Sequence, residues 1–376
     1  MSNNVSLKEI AKLFLKLGVI GFGGPAAHIA MMKEEVVDQR KWLTEQHFLD
    51  LIGATNLIPG PNSTEMAIHI GHEKAGWKGL VVAGLCFILP AVLITGFFAF
   101  LYKQYGQIPE VKPFLYGIKP AIIAVILGAI FPLAKKSLKS LELIIIGVIV
   151  LLLSLLHFNE IYLLFGAGFF ALFLTFLRNG GLRNANSIFP IAFLPMADNA
   201  FASATNSKLF WIFLKIGAIL YGSGYVLFAF LDSELVSQGL LTRQQLIDAI
   251  AVGQFTPGPV FSSVTFIGYQ INDLSGAIVS TIAIFLPSFV FVALLNPLVK
   301  KMRDSILFSK FLDAVNVASV AIIVSVCFSM GKETITDWRT IIIAVLSIVL
   351  TLKYTKINSA FIVLGGSLLG YCLTLL

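Results

Sequence analysis

Residues 57–65 read Leu-Ile-Pro-Gly-Pro-Asn-Ser-Thr-Glu, and residues 255–263 read Phe-Thr-Pro-Gly-Pro-Val-Phe-Ser-Ser. Proline cannot continue a helix and pushes the residue before it out of the α region. The chain must therefore break at Pro59-Gly60-Pro61 and Pro257-Gly258-Pro259 and restart near Asn62 and Val260. Two copies of one rare break, about half a chain apart, predict an internal duplication.

Working outward, Phe14-Leu15-Lys16-Leu17-Gly18 reappears as Phe213-Leu214-Lys215-Ile216-Gly217, Gly23 as Gly222, and Glu35 as Glu234. With one single-residue gap Thr44, Gln46 and Asp50 match Thr242, Gln244 and Asp248. With another, Gly71, Gly79 and Pro90 match Gly268, Gly276 and Pro287. A shared order of so many special residues is the signature of a repeat. The expected domains are a first repeat over 1–178, a cytoplasmic linker over 179–207 rich in Asn, Ala and Ser, and a second repeat over 208–376.

The solvent follows from composition. With 57% hydrophobic and 12% charged residues, a soluble domain of this size could not cover itself with polar surface. Apolar segments at 79–102, 113–134, 141–158 and 160–177, then at 276–299, 309–329, 339–354 and 358–375, approach the roughly 20 residues a membrane crossing needs. The shorter ones must stand upright or sit where the bilayer thins. Cys86, Cys327 and Cys372 fall in these segments and read as small hydrophobes without disulfides. The first apolar stretch, from Ile10, carries Lys12 and Lys16 and is copied in the second half, so it reads as part of the fold and not as a signal peptide.

Residues 44–75 and 242–272 behave differently. Thr44 and Thr242 have N-cap character, the latter with Gln245 completing a capping box, and each opens a helix of about three turns before the Pro-Gly-Pro. Such a helix is too short to cross, so each piece is expected to enter the membrane and turn back. Lysine and arginine set the orientation. The Lys135, Lys136, Lys139 cluster and the Lys300, Lys301, Arg303 cluster follow segments one position apart in the repeat, so equivalent segments point opposite ways. Placing both clusters inside also puts Lys74, Lys78 and Lys208 there and leaves Lys8, Lys12, Lys103, Lys112, Arg243, Lys332 and Arg339 outside, with both termini outside. The predicted class is an all-α membrane protein of the prokaryotic cytoplasmic membrane: two inverted-topology repeats, each of about five spanning helices plus a re-entrant hairpin broken at Pro-Gly-Pro.

Broken backbone at membrane depth is tolerated only inside protein or beside a water-filled cavity, and a restarted helix presents free N–H groups and a positive dipole end. The break therefore suits an anion. A second discontinuity, Gly21-Phe22-Gly23-Gly24-Pro25, is echoed at Tyr221-Gly222-Ser223-Gly224, so two breaks per repeat are expected to face one site.

The strings GFGGPAAHIAMM (21–32) and VVDQRKWLTEQHFLDLIGATNLIPGPNSTEMAIHIGHEKAGWKG (36–79), with YGSGY (221–225) and LTRQQLIDAIAVGQFTPGPVFSSVTFIGYQ (241–270) in the second half, resemble the two signature regions of the chromate ion transporter family. The resemblance covers almost the whole chain and implies the two-domain form of that family, with halves facing opposite ways and export of chromate as the activity, giving chromate resistance. The second copy departs from the first where Gly24-Pro25 becomes Ser223-Gly224 and Leu227 replaces His28, so the halves are not expected to bind substrate equally.

Each candidate residue has a functional and a plain reading. Lys16 and Lys215 are matched cations in apolar segments that could attract a divalent oxyanion, or snorkel to the interface. Gly23, Gly24, Pro25, Gly60, Gly222 and Gly258 form the breaks. Asn62, Ser63 and Thr64, with Ser262, Ser263 and Thr265, supply neutral donors at the restarted helix ends, or simply cap and pack them. Glu65, His69 and His72 share one helix face and could carry a proton for coupling. The plain alternative is a Glu65–His69 hydrogen bond that holds the hairpin. His28, Lys119 and its counterpart Asn316 are further candidates. Asp50 and Asp248 read as structural partners of a loop cation. A metal site from Glu65, His69, His72 and His28 would lack a His-Glu-x-x-His motif and supporting carboxylates, so no metal and no cofactor is assigned. Expected partners are chromate or a related oxyanion, protons and the lipid bilayer, with no nucleic acid and with a homodimer left open. The leading function is proton-coupled export of chromate or a similar oxyanion. A passive anion channel, a transporter of sulfate, and a membrane enzyme remain as alternatives. No Walker motif is present, so the chain carries no ATP motor of its own.

Overall fold

A computed structural model describes the chain apart from residues 1–4, 23, 107–111, 179–204, 222–223, 304, 355–356 and 376. Among the described residues the regular structure is all helical. The first repeat holds α1 (Leu7–Ile20), α2 (Gly24–Lys33, prolonged by a π turn to Gln39), α3 (Glu45–Thr55), α4 (Asn62–Tyr105), α5 (Lys112–Ser137), α6 (Leu141–Leu155) and α7 (Glu160–Arg178). The second holds α8 (Thr205–Ile219), α9 (Val226–Leu231, prolonged by a π turn to Val236), α10 (Arg243–Phe255), α11 (Ser263–Arg303, after a 3₁₀ turn from Val260), α12 (Ile306–Thr334), α13 (Trp338–Lys353) and α14 (Ser359–Thr374). Thr44 and Thr242 cap α3 and α10 as expected, the second within a capping box.

Helices α4 and α11 each contain a sharp turn, at Ala75-Gly76 and at Asn272-Asp273. The short arm before the turn folds back on the long arm after it, through matched glycines. A Cβ on Gly71 would lie 2.3 Å from the Gly79 carbonyl oxygen, and one on Gly268 would lie 2.3 Å from that of Gly276. Only glycine permits backbones this close. Helix α3 with the short arm of α4, and α10 with that of α11, therefore form the two expected re-entrant hairpins.

The element counted from sequence as a fifth crossing in each repeat resolves into a second hairpin. Helix α1 has 14 residues, about 21 Å of helix against a core of about 30 Å. Its end, at Gly18, packs on Phe87 and Pro90, halfway along the long arm of α4. After the break α2 doubles back, so that Glu35 reaches Lys16. In the second repeat Gly217 packs on Ile284 and Glu234 reaches Lys215 in the same way. Among the described residues five helices, α4, α5, α7, α11 and α12, are long and apolar enough to cross a bilayer. Helices α6 and α14, of 15 and 16 residues, are apolar but shorter, and α13 also has 16 residues. Of the cysteines, Cys327 is buried, but Cys372 is exposed on the outer face of α14.

Contacts between the repeats establish the inversion. Lys103, near the end of α4, pairs with Asp273, where the long arm of α11 begins, at 2.5 Å. Lys139, just after α5, pairs with Asp313 near the start of α12 at 2.7 Å, while Tyr116 near the start of α5 donates to Asp337 just past the end of α12. Equivalent helices therefore run antiparallel. The packing is also exchanged: α5 lies against α13 and α14 of the other repeat, α12 lies against α6 and α7, and α4 meets α11 at the centre. One expectation is corrected. Asn206 at the start of α8 bonds Asn272 at 2.7 Å, so Lys208 belongs at the Lys103 end and not with Lys74 and Lys136. By the repeat relation Lys8 and Lys12 move to the Lys74 end, which sharpens the charge asymmetry and places the described N-terminus inside. The linker expected over 179–207 lies, up to residue 204, outside the described residues.

Two measurements check this arrangement. In a cysteine-free background, cysteines at Lys74 and Lys136 should react with an impermeant maleimide from one face of the membrane, and cysteines at Lys103 and Lys332 from the other. A Cβ on Gly117 would sit 2.1 Å from the Gly366 carbonyl oxygen, so Gly117→Ala should destabilise the protein in detergent by about 1–3 kcal/mol, whereas Gly166→Ala, with nothing within 4 Å, should not.

Candidate functional site

The four breaks meet at mid-height in two reciprocal pairs. The Gly60 amide donates to the Leu220 carbonyl at 2.8 Å, and the Gly258 amide donates to the Gly21 carbonyl at 2.7 Å. Gly21 and Leu220 are equivalent positions, so each Pro-Gly-Pro clasps the first break of the opposite repeat. Both glycines need a conformation that side chains disfavour, with φ of +134° and +90°. Gly60 lies against Glu65 and Ser288, whereas Gly258 lies against Ala91. Ala91 and Ser288 are themselves equivalent, each following the proline within its long arm.

The clasp revises the anion cradle expected at these glycines, because the Gly60 and Gly258 amides are already engaged. Gly24, with φ of +79°, starts α2 beside Tyr225, and Pro25 occupies the first turn, where its missing N–H costs nothing. Gly23 and Gly222 fall outside the described residues. His28 is buried on the edge of Phe87 and its Nε2–H donates to the Gly21 carbonyl at 2.9 Å, so that carbonyl receives two donors. Leu227 at the matching place cannot donate.

Lys16 and Lys215, expected as matched cations that attract an oxyanion or snorkel to the interface, each pair with a carboxylate of the following helix. Glu35 takes Lys16, whose side chain is 52% exposed, and Arg40 at 3.1 Å. Glu234 takes Lys215 at 2.7 Å. Each lysine thus has a carboxylate partner, which in the first repeat is shared with Arg40.

Of the expected neutral donors, Asn62 is half-buried and bonds Asn56 at 2.8 Å. Ser63, Thr64, Ser262 and Ser263 are buried. Thr95 donates to Ser262 at 3.3 Å across the repeat boundary, and Thr265 bonds Thr281 at 2.7 Å. Glu65 is fully buried, with one oxygen 3.5 Å from the Ser288 hydroxyl and the other without a partner. His69 is also buried, and neither ring nitrogen has a partner, so the Glu65–His69 hydrogen bond is not formed. His72 stands apart, edge-on to Trp77 near the turn of α4. Among the described residues no group of three His, Cys, Asp or Glu lies close enough to hold a metal ion.

Two cavities flank this centre, at opposite ends of α5. One, of about 350 Å³, reaches from Lys136 and Lys139 to Asn56 and Asn62 at the first Pro-Gly-Pro and includes Asn316. The other, of about 460 Å³, lies among Lys112, Tyr116, Lys119, Tyr102, Gln244 and Asp248. Lys119 and Asn316 are equivalent, so the two further candidates line equivalent walls of opposite cavities. Sequence reading missed Ser288 and the environment of Asp248. Asp248 bonds Tyr102 at 2.7 Å and faces Lys119 at 3.9 Å. Both partners come from the other repeat, and no local pattern reveals them.

The chromate transporter family profile matches the chain twice, over residues 8–172 and 207–371. The chromate transport protein of Cupriavidus metallidurans is 31% identical over 375 residues, covering 97% of this chain and 92% of that protein. The probable chromate transport protein of Synechococcus elongatus is 30% identical, covering 93% and 91%, and the chromate transport protein of Pseudomonas aeruginosa is 26% identical, covering 98% and 92%. No solved structure matches the chain.

Substitution at the clasp separates its two contributions. Gly60→Ala and Gly258→Ala should each destabilise the protein by about 2–4 kcal/mol, combining backbone strain with overlap. Gly239→Ala, with φ of +69° but nothing within 4 Å, should show only the backbone share of about 1–2 kcal/mol. Thermal melting of the detergent-solubilised variants reads the difference.

Proposed function

The chain belongs to the chromate transporter family, and from that premise we propose that this multi-pass membrane protein exports chromate or a similar tetrahedral oxyanion across the cytoplasmic membrane, coupled to protons, and so confers chromate resistance. The observation that carries the proposal is the pair of cavities at opposite ends of α5, with clasped helix breaks between them. The arrangement suits a carrier with a site at mid-membrane that is approached from either side.

Glu65 is the coupling residue in this reading. It packs on the glycine of one clasp, and an unpaired carboxylate that is fully buried is costly. Gain or loss of its proton is then a large electrostatic event beside the backbone that joins the repeats. His69 is the nearest buried titratable neighbour on that helix face, one turn away. Neutral Asn62 and Asn316 with Lys136 form the approach from the inner face.

Magnitudes show what a test must separate. A potential of 100 mV, inside negative, favours the exit of a dianion by about 4.6 kcal/mol, or more than a thousandfold in concentration. Export is thus downhill in charge even for a passive channel, and proton coupling shows only when the pH gradient is varied alone. In everted vesicles with the potential clamped, the wild type should accumulate labelled chromate only while a pH gradient is held, with sulfate as the competitor. Glu65→Gln should lower that accumulation by about tenfold or more while keeping downhill flux. Unchanged accumulation in the variant refutes coupling through Glu65, and no gradient-dependent accumulation in the wild type refutes coupled export.

A further inference from the structure

In the 460 Å³ cavity the deepest charges are Lys119 of α5 and Asp248 of α10, one from each repeat. Asp248 has a side chain only 3% exposed, and Lys119 one 20% exposed. Their closest atoms are 3.9 Å apart, the outer limit of an ion pair. Asp248 does not depend on Lys119 for its place. The Tyr102 hydroxyl donates to Oδ2 at 2.7 Å, and the Gln244 amide donates to both oxygens at 3.4 and 3.3 Å.

The ammonium of Lys119 has three donors. Among the described residues the carboxylate it faces is Asp248, at the outer limit of an ion pair. The other cavity differs. Asn316 stands at the place of Lys119, and the cross-repeat pair there, Lys139 with Asp313, is close at 2.7 Å but has its lysine 57% exposed, where an ion pair contributes little.

We propose that Lys119 is an oxyanion-binding residue and that Asp248 is its resident competitor. A dianion such as chromate entering the cavity takes the Lys119 ammonium, while Tyr102 and Gln244 keep Asp248 turned aside. When the dianion leaves, Asp248 again neutralises the lysine. The cavity lies at the Lys112 end, the outer face by charge asymmetry, so a tethered competitor keeps the exit site weak and favours release. The inference rests on the transport reading and names the exit site within it.

The test measures equilibrium binding of labelled chromate to the purified full chain in detergent, with sulfate run in parallel. Asp248→Asn preserves shape and keeps one oxygen to accept from Tyr102 and Gln244, and a melt verifies that the fold holds. It should bind chromate about threefold to tenfold more tightly, the scale of a modest ion pair. Tyr102→Phe frees Asp248 to close on Lys119 and should bind more weakly by a similar factor. Lys119→Gln should bind weakly whether residue 248 is Asp or Asn.

Opposite signs for Asp248→Asn and Tyr102→Phe are what a merely structural role cannot produce. The proposal is overturned if both variants weaken binding, if a folded Asp248→Asn protein binds no more tightly than the wild type, or if the tightening survives Lys119→Gln. The vesicle assay on the wild type judges transport separately, so a flat ranking among variants refutes the competitor role even where export stands.

Discussion

Two backbone hydrogen bonds hold this molecule to its architecture: Gly60 to Leu220 and Gly258 to Gly21. A helix that stops in the middle of a membrane leaves amides and carbonyls without partners, and in hydrocarbon each costs several kcal/mol. Here a break with a spare carbonyl meets a break with a spare amide, and it does so across the repeat boundary. Neither half supplies both partners for itself. The exchanged packing of α5 on α13 and α14, and of α12 on α6 and α7, has the same consequence: each repeat completes its core with the other.

The pseudo-symmetry that builds the clasp is broken in its surroundings. Glu65 and Ser288 fill the space beside Gly60, while beside Gly258 the equivalent of Ser288 is Ala91. His28 adds a second donor to the Gly21 carbonyl, and Leu227 can add none to Leu220. The cavities diverge as well, with a deep lysine at one end and an asparagine at its counterpart. A symmetric fold whose polar groups differ between the two copies gives its two ends different chemistry.

Much of this was legible in the sequence because it is written in local backbone chemistry. Pro-Gly-Pro forces a break wherever it stands, Thr44 and Thr242 cap whatever helix follows, and runs of apolar residues need lipid. The matched glycines Gly71, Gly79, Gly268 and Gly276 were visible as landmarks, and the structure supplies their reason in the folded-back arms. The first helix of each repeat misled because an apolar stretch of about 14 residues followed by a second helix has the composition of a crossing. Only the return of Glu35 to Lys16 reveals a hairpin. The carboxylate partners of Lys16 and Lys215 were hidden for the same reason, since they lie 19 positions away and no helical spacing points to them. Asp248 was read with a loop cation because Lys119 belongs to the opposite repeat, and cross-repeat contacts leave no trace in periodicity.

The clasp also constrains how such a molecule can move. Opening either hydrogen bond would leave a buried amide and a buried carbonyl without their partner, a cost of several kcal/mol. Motion that keeps both bonds must carry the first hairpin of one repeat together with the Pro-Gly-Pro hairpin of the other. The rigid units are therefore mixed pairs of hairpins and not the two sequence repeats. The long arms they pack on carry Pro90 and Pro287, where the helical ladder lacks a donor and bends most easily. Ser288 follows Pro287 directly and touches Glu65. Glu65 thus stands where a mixed hairpin unit meets a long arm beside its proline, and in one copy of the repeat only.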